Sequence, residues 1–175
     1  KSYSKVIMVY KTIGNQCHDN IDLFLTDNNH ILPDGLNEES INAYSSFKKW
    51  WDDIHLITDD IEVIYHEKPL VCKYFGGTLD GLYKINGKTY LVDYKTSNHI
   101  TFRYCLQLSA YRFMLKKEHN IDIDGCIILQ LSKNSIGYNE YVMDFNNENH
   151  LEYINDCELC FLSMVYSYYN INKVE

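Results

Sequence analysis

Asn86-Gly87 constrains this chain more than any other pair of residues. It lies between two runs rich in β-branched and aromatic residues, and both turn positions of a two-residue hairpin need φ > 0, which Asn and Gly adopt readily. Counting back from that turn pairs Ile85 with Lys88, Tyr83 with Tyr90, and Asp80 with Asp93. Side chains alternate across a strand, so Asp80, Asp93 and Lys95 share one face, while Leu79, Tyr83, Ile85, Tyr90, Val92 and Tyr94 share the other. Opposed carboxylates with Cβ atoms about 5 Å apart destabilise a bare sheet, and a bound cation reverses the sign. The hairpin therefore reads as a metal site with a lysine on the same face. A slip of one residue would undo the pairing.

The remaining elements follow from periodicity. Tyr3 to Tyr10 is short and apolar, of open type, and a helical stripe starts near Gly14 with Cys17, Ile21, Phe24 and Leu25. His18 lies at the edge of that stripe. Thr26 to Leu36 is a loop turning at Pro33-Asp34-Gly35. Asn37 caps a second helix to Thr58, whose expected core residues are Ile41, Tyr44, Phe47, Trp51 and Ile54. Ile61 to Lys68 is expected as a strand ended by Pro69. After the hairpin come a helix from Ile100 to His119, a buried strand from Gly125 to Leu131, a neighbouring strand from Tyr138 to Phe145, and a closing helix from Asn149 to Tyr169. This order gives an α/β fold around a central mixed sheet flanked by helices, with 1–175 as a single domain.

Within that frame, Gly77-Thr-Leu-Asp80, Asp93-Tyr-Lys95 and Gln107-Leu-Ser-Ala-Tyr111 resemble the GxxD, DxK and QxxxY motifs of the PD-(D/E)XK nuclease superfamily, in its RecB-like exonuclease branch. The resemblance spans about residues 60 to 145. It implies a restriction-endonuclease-like core and a divalent-metal-dependent deoxyribonuclease, using Mg²⁺ or Mn²⁺, that hydrolyses phosphodiester bonds at DNA ends or in single strands during repair or recombination. Asp80, Asp93 and Lys95 would be catalytic, and His18, Asp80 and Asp93 the metal ligands. The histidine enters through Gly14-Asn-Gln-Cys-His18, which resembles the family's Gly-x-x-x-His setting. An imidazole ligand suits Mn²⁺ better than Mg²⁺.

Gln107 and Tyr111 would position substrate, and Glu67 would be an outer-shell or second-metal ligand, with a surface role as the alternative. For Arg103, one turn before Gln107, the reading is a core-edge residue rather than a phosphate contact. An endonuclease of the same fold, or a non-catalytic subunit binding DNA or protein, are the competing readings.

Composition sets the outer limits. The net charge of −8 speaks against broad phosphate neutralisation of duplex DNA. It suits a small contact assisted by lysines such as Lys48, Lys49, Lys116 and Lys117, although each pair reads first as a solvated helix face. No apolar run reaches the roughly 18 residues of a membrane span, so the expectation is an intracellular, cytoplasmic protein with no membrane partner. Richness in Asn, Ile and Tyr would suit an AT-rich source such as a phage or virus. Six cysteines are too few for a disulfide scaffold. Cys157 and Cys160 read as two thiols one turn apart on a buried helix face, because relatives with an iron-sulfur cluster group three cysteines there.

Overall fold

The computed structural model describes the backbone of residues 2–27 and 29–171, and side chains from residue 12 onward within those ranges. Nine elements follow in order: α1 (Ser2–Thr26), α2 (Glu38–Ile57), β1 (Ile61–Val71), β2 (Gly76–Ile85), β3 (Lys88–Lys95), α3 (Phe102–His119), β4 (Gly125–Leu131), β5 (Tyr138–Asp144) and α4 (Glu148–Ile171). The strands form one sheet in the order β1-β2-β3-β4-β5. It is a mixed sheet flanked by four helices. Asp124 N donates to Thr89 O at 2.7 Å, which sets the starts of β3 and β4 together and makes them parallel across α3. Ser132 N donates to Gly137 O at 2.9 Å and closes β4 and β5 as an antiparallel pair.

The hairpin has the expected register. Pairing runs from Ile85↔Lys88 to Gly81↔Val92, and Asn86 and Gly87 have φ of 51° and 76°. Leu79 and Tyr83 on one face, and Leu82 and Leu91 on the other, are all 0% exposed. Both faces of the hairpin are therefore covered, and the apolar residues flanking the two acids seat them in a rigid wall.

Contacts divide the chain into two compact units. In the first, residues 1–61, 94–99 and 128–141, α1 presents Ile13, Cys17, Ile21 and Phe24 to a buried stripe, and α2 presents Ala43, Tyr44, Phe47 and Trp50. Edge-on ring contacts of Phe24 with Tyr44 and Phe47, and of Phe47 with Tyr94, join them. Asn37 caps α2 as expected, its side chain accepting from Ser40 N at 2.8 Å. In the second unit, residues 62–93, 100–127 and 142–175, α3 packs against α4, and Arg112 Nη1 donates to Asn155 Oδ1 at 2.8 Å.

Several expectations need correction. α1 is helical from Ser2, so Tyr3 to Tyr10 belongs to it, although the side chains there lie outside the described residues. On α2, Trp50 rather than Trp51 is buried, at 2% exposure, with Nε1 donating to Glu140, whereas Ile41 is 39% exposed. The buried stripe is thus turned by one residue from the one read off the spacing. β1 continues through Pro69 to Val71, because β1 is an edge strand and a missing N–H on its open side breaks no ladder bond. Cys157 is buried but Cys160 is exposed, so these two thiols do not share a buried face. Among the described residues no helix is long and apolar enough to cross a membrane.

Candidate metal centre

Glu67 is the oddest residue of the backbone. Among the described residues, the non-glycine positions with positive φ are Asn86, Asn120 and Glu67 (φ 42°). Asparagine tolerates the left-handed region because its short side chain can bond locally; glutamate has no such relief, and the conformation costs of the order of 1–2 kcal/mol. Strain of this size within a strand persists where surrounding structure imposes it, and such positions cluster at functional sites.

Asp80 comes from the other arm of the same β1–β2 hairpin and is 7% exposed. Within the second unit, the ligand atoms of Glu67 and Asp80 lie within 4.8 Å of each other. Around an ion with bonds near 2.1 Å, ligand atoms sit roughly 3 Å apart when adjacent and 4.2 Å when opposite. Brought to adjacent positions, the two carboxylates would close by up to about 1.8 Å, within the reach of side-chain torsions. Such oxygen donors could hold a divalent ion, and they lack the thiolates that select softer metals.

The Tyr94 carbonyl fixes one edge of the His18 ring. His18 Nε2 lies 3.2 Å from Tyr94 O, and a carbonyl only accepts, so that bond needs a proton on Nε2. Tyr94 also holds the ring edge-on, at 5.7 Å between centroids. The residue between Asp93 and Lys95 therefore serves the histidine through its backbone, a hydrogen bond of the kind that commonly orients metal-bound imidazoles.

Asp93 is 1% exposed, directly after Val92, the last residue of β3 in the observed register with β2. It is not grouped with Glu67 and Asp80 as a ligand. Lys95 closes β3, half-buried, on the face that strand alternation gives to Asp93. Gln107 Nε2 donates to Tyr111 Oη at 3.0 Å, so this pair, one turn apart on α3, acts as one hydrogen-bonded unit. Arg103 is exposed.

Gly77 ties two of the motifs together. A Cβ there would lie 2.9 Å from Tyr111 Cε1 and 3.0 Å from its hydroxyl. The glycine that begins Gly77-Thr-Leu-Asp80 is thus the seat of the tyrosine that ends Gln107-Leu-Ser-Ala-Tyr111. Gly77→Ala should displace the Tyr111 ring and break its bond to Gln107. The expected result is a stability loss of about 1–3 kcal/mol, with a larger proportional loss of any activity that depends on Tyr111. Denaturant unfolding alongside an activity assay measures both, and an unchanged unfolding midpoint would show that the ring is not seated there.

Three of the four lysines singled out from the sequence are engaged in ion pairs: Lys48 with Asp52 at 3.7 Å, Lys49 with Asp53 at 2.8 Å, and Lys116 with Asp122 at 2.5 Å. They behave as solvated helix faces. Lys117 instead lies over the Phe113 ring. The thiols carry no metal-ligand spacing among the described residues. Cys157 and Cys105 share a hydrogen-bonded contact with Tyr153, and burial pushes the Cys157 thiol up to about 11, which keeps it protonated and inert at neutral pH.

The sequence names Glu67 as an outer-shell or second-metal ligand, with a surface role as the alternative, and the structure sets its carboxylate near that of Asp80. Its left-handed backbone leaves no trace in the residue pattern.

No family model matches the chain, and no curated protein matches it. Among solved structures it is similar to one titled "Crystal structure of SSO0001", with a TM-score of 0.31 and 12% identity, over 88% of this chain and 86% of that one.

Proposed function

We propose that this chain is a divalent-metal-dependent DNA nuclease of the RecB-like PD-(D/E)XK type, acting on DNA ends or single strands. The observation that carries the reading is the pair of carboxylates of Glu67 and Asp80, with ligand atoms within 4.8 Å of each other, in a chain whose β3 bears Asp93-Tyr94-Lys95. The order of helix, three strands, helix and strand around a mixed sheet supports it too.

His18, Glu67 and Asp80 would hold the ion, with Asp93 a further carboxylate one strand away. The chemistry a divalent ion supplies in such a site is neutralisation of phosphate charge and acidification of a water. Lys95 donates to a non-bridging oxygen of the phosphate and stabilises the charge that grows there as the phosphorus–oxygen bond breaks. Gln107 and Tyr111 hold the substrate backbone in register with that lysine. The buried apolar residues on either side of Asp80 limit competing solvation and strengthen each of these contacts.

A panel of metals and DNAs tests the reading. Wild-type protein should cut labelled single-stranded or end-bearing DNA with Mn²⁺ at least as well as with Mg²⁺, and not with EDTA. His18→Ala should raise the metal concentration needed for half-maximal rate at least tenfold and erase the advantage of Mn²⁺. Absence of cleavage of every DNA tested, at enzyme well above substrate, would overturn the assignment.

A further inference from the structure

Along the second unit runs a groove whose composition inverts that of the chain. It joins two hollows of about 520 Å³ and 300 Å³ that share Phe75. Its walls are the β1–β2 turn, α3 and the C-terminal half of α4. Phe75 forms the floor where the hollows meet, in ring contact with Phe113 at 5.9 Å and Phe161 at 4.9 Å.

Seven of the twenty-one lining residues are aromatic, against 14% of the chain. The charged ones are Lys73, Arg103, Lys117 and one acid, Glu118. Three cations to one acid is the reverse of the 16 to 24 of the whole sequence. None of the three cations makes an ion pair among the described residues. Lys73 lies over Tyr74 and Lys117 over Phe113, each at 5.2 Å from the ring centre. Tyr74 is 50% and Tyr166 73% exposed. Rings open to solvent beside uncommitted cations are the components of a stacking platform with a phosphate rail.

From these features we infer that the groove between the β1–β2 turn, α3 and α4 binds single-stranded nucleic acid, bases stacking on Tyr74 and Tyr166 and phosphates meeting Lys73 and Lys117. A purely apolar partner would gain nothing from the three cations, and a duplex would keep its bases from the rings. The other end of the groove reaches Arg103, Gln107 and Tyr111, and Tyr111 packs on Gly77 at the start of the strand that carries Asp80. A strand in the groove is therefore led toward the residues assigned to substrate positioning. Inasmuch as that assignment is used, the inference rests on the nuclease reading and names its substrate as single-stranded.

The test measures binding and chemistry separately on the full chain. Fluorescence anisotropy with a labelled oligothymidylate in EDTA reports the groove alone. Wild type should bind it more tightly than a duplex of equal length. Tyr166→Ala should weaken binding roughly 5- to 100-fold, and Lys73→Gln with Lys117→Gln should make the plot of log affinity against log salt shallower by about 1.4. Hydrolysis of bis-(p-nitrophenyl) phosphate with Mn²⁺, which needs no groove, should be unchanged in both variants. Equal single-strand affinity in wild type and variants, or equal affinity for duplex and single strand, would overturn the inference even if the enzyme cuts DNA. Groove-dependent binding without hydrolysis of either substrate would uphold it and count against the nuclease reading.

Discussion

Asp80→Asn should reduce metal-dependent DNA cleavage by roughly 10³-fold or more while the protein stays folded. The side chain keeps its size, but the site loses a negative ligand, and several kcal/mol of transition-state stabilisation at 1.36 kcal/mol per decade gives that factor. Stability supplies a second readout that needs no substrate. Carboxylate oxygens of Glu67 and Asp80 within 4.8 Å repel when both are ionised, by about 3 kcal/mol at an effective dielectric of 20. A cation removes that repulsion, and Asn removes it permanently. Mn²⁺ at a hundred times its dissociation constant should therefore raise the wild-type midpoint by about 5–10 °C, and leave Asp80→Asn almost unmoved. Calorimetry with and without Mn²⁺ measures the difference. A variant that kept wild-type cleavage, or gained the full Mn²⁺ shift, would remove Asp80 from the centre.

The largest expected effect on folding is at Gly125, at the start of β4. A Cβ there would stand 2.5 Å from Met143 O and 2.7 Å from Tyr90 Cε1. The first of these is backbone of the neighbouring strand and cannot swing aside. Gly125→Ala must separate β4 from β5 or eject the Tyr90 ring, which costs about 3 kcal/mol, at the top of the overpacking range. For a chain of this size that lowers the midpoint by about 6–12 °C. Gly14→Ala is the matched control. Its Cβ would meet only Thr96 Oγ1 at 3.6 Å, and alanine in a helix interior is favoured over glycine by up to about 1 kcal/mol. Thermal unfolding of the two variants should therefore move in opposite directions, and an unshifted Gly125→Ala would mean that the strands do not approach so closely there.

These contrasts show which parts of the molecule were legible in the residues. The hairpin was, because Asn86-Gly87 dictates turn geometry locally and alternation then carries the register outward to Asp80 and Asp93. The bounds of β4, Gly125–Leu131, could be read because its burial on both faces leaves the apolar run Cys126 to Leu129, with Leu131 after the partly buried Gln130. Trp50 and Trp51 could not be told apart by spacing, since adjacent positions differ by only a third of a turn; the Glu140 carboxylate that receives the Trp50 N–H decides between them. Pro69 misled because its cost depends on whether a strand is central or at an edge, which only the assembled sheet determines. Glu67 was named as a possible ligand, but its backbone was hidden: local preference opposes that conformation, so the residues around it announce only an ordinary strand. The groove escaped notice because its parts are far apart in sequence, with Tyr74 in a turn and Tyr166 near the end of α4.

The backward twist of the chain at Glu67 sets heat tolerance against chemistry. Glycine at that position would adopt the same dihedral freely and relax the strand, yet it would delete a donor of the proposed centre. Any search that scored thermal survival alone would drift toward that replacement. On the proposed reading, a screen on this scaffold must reward turnover and endurance together.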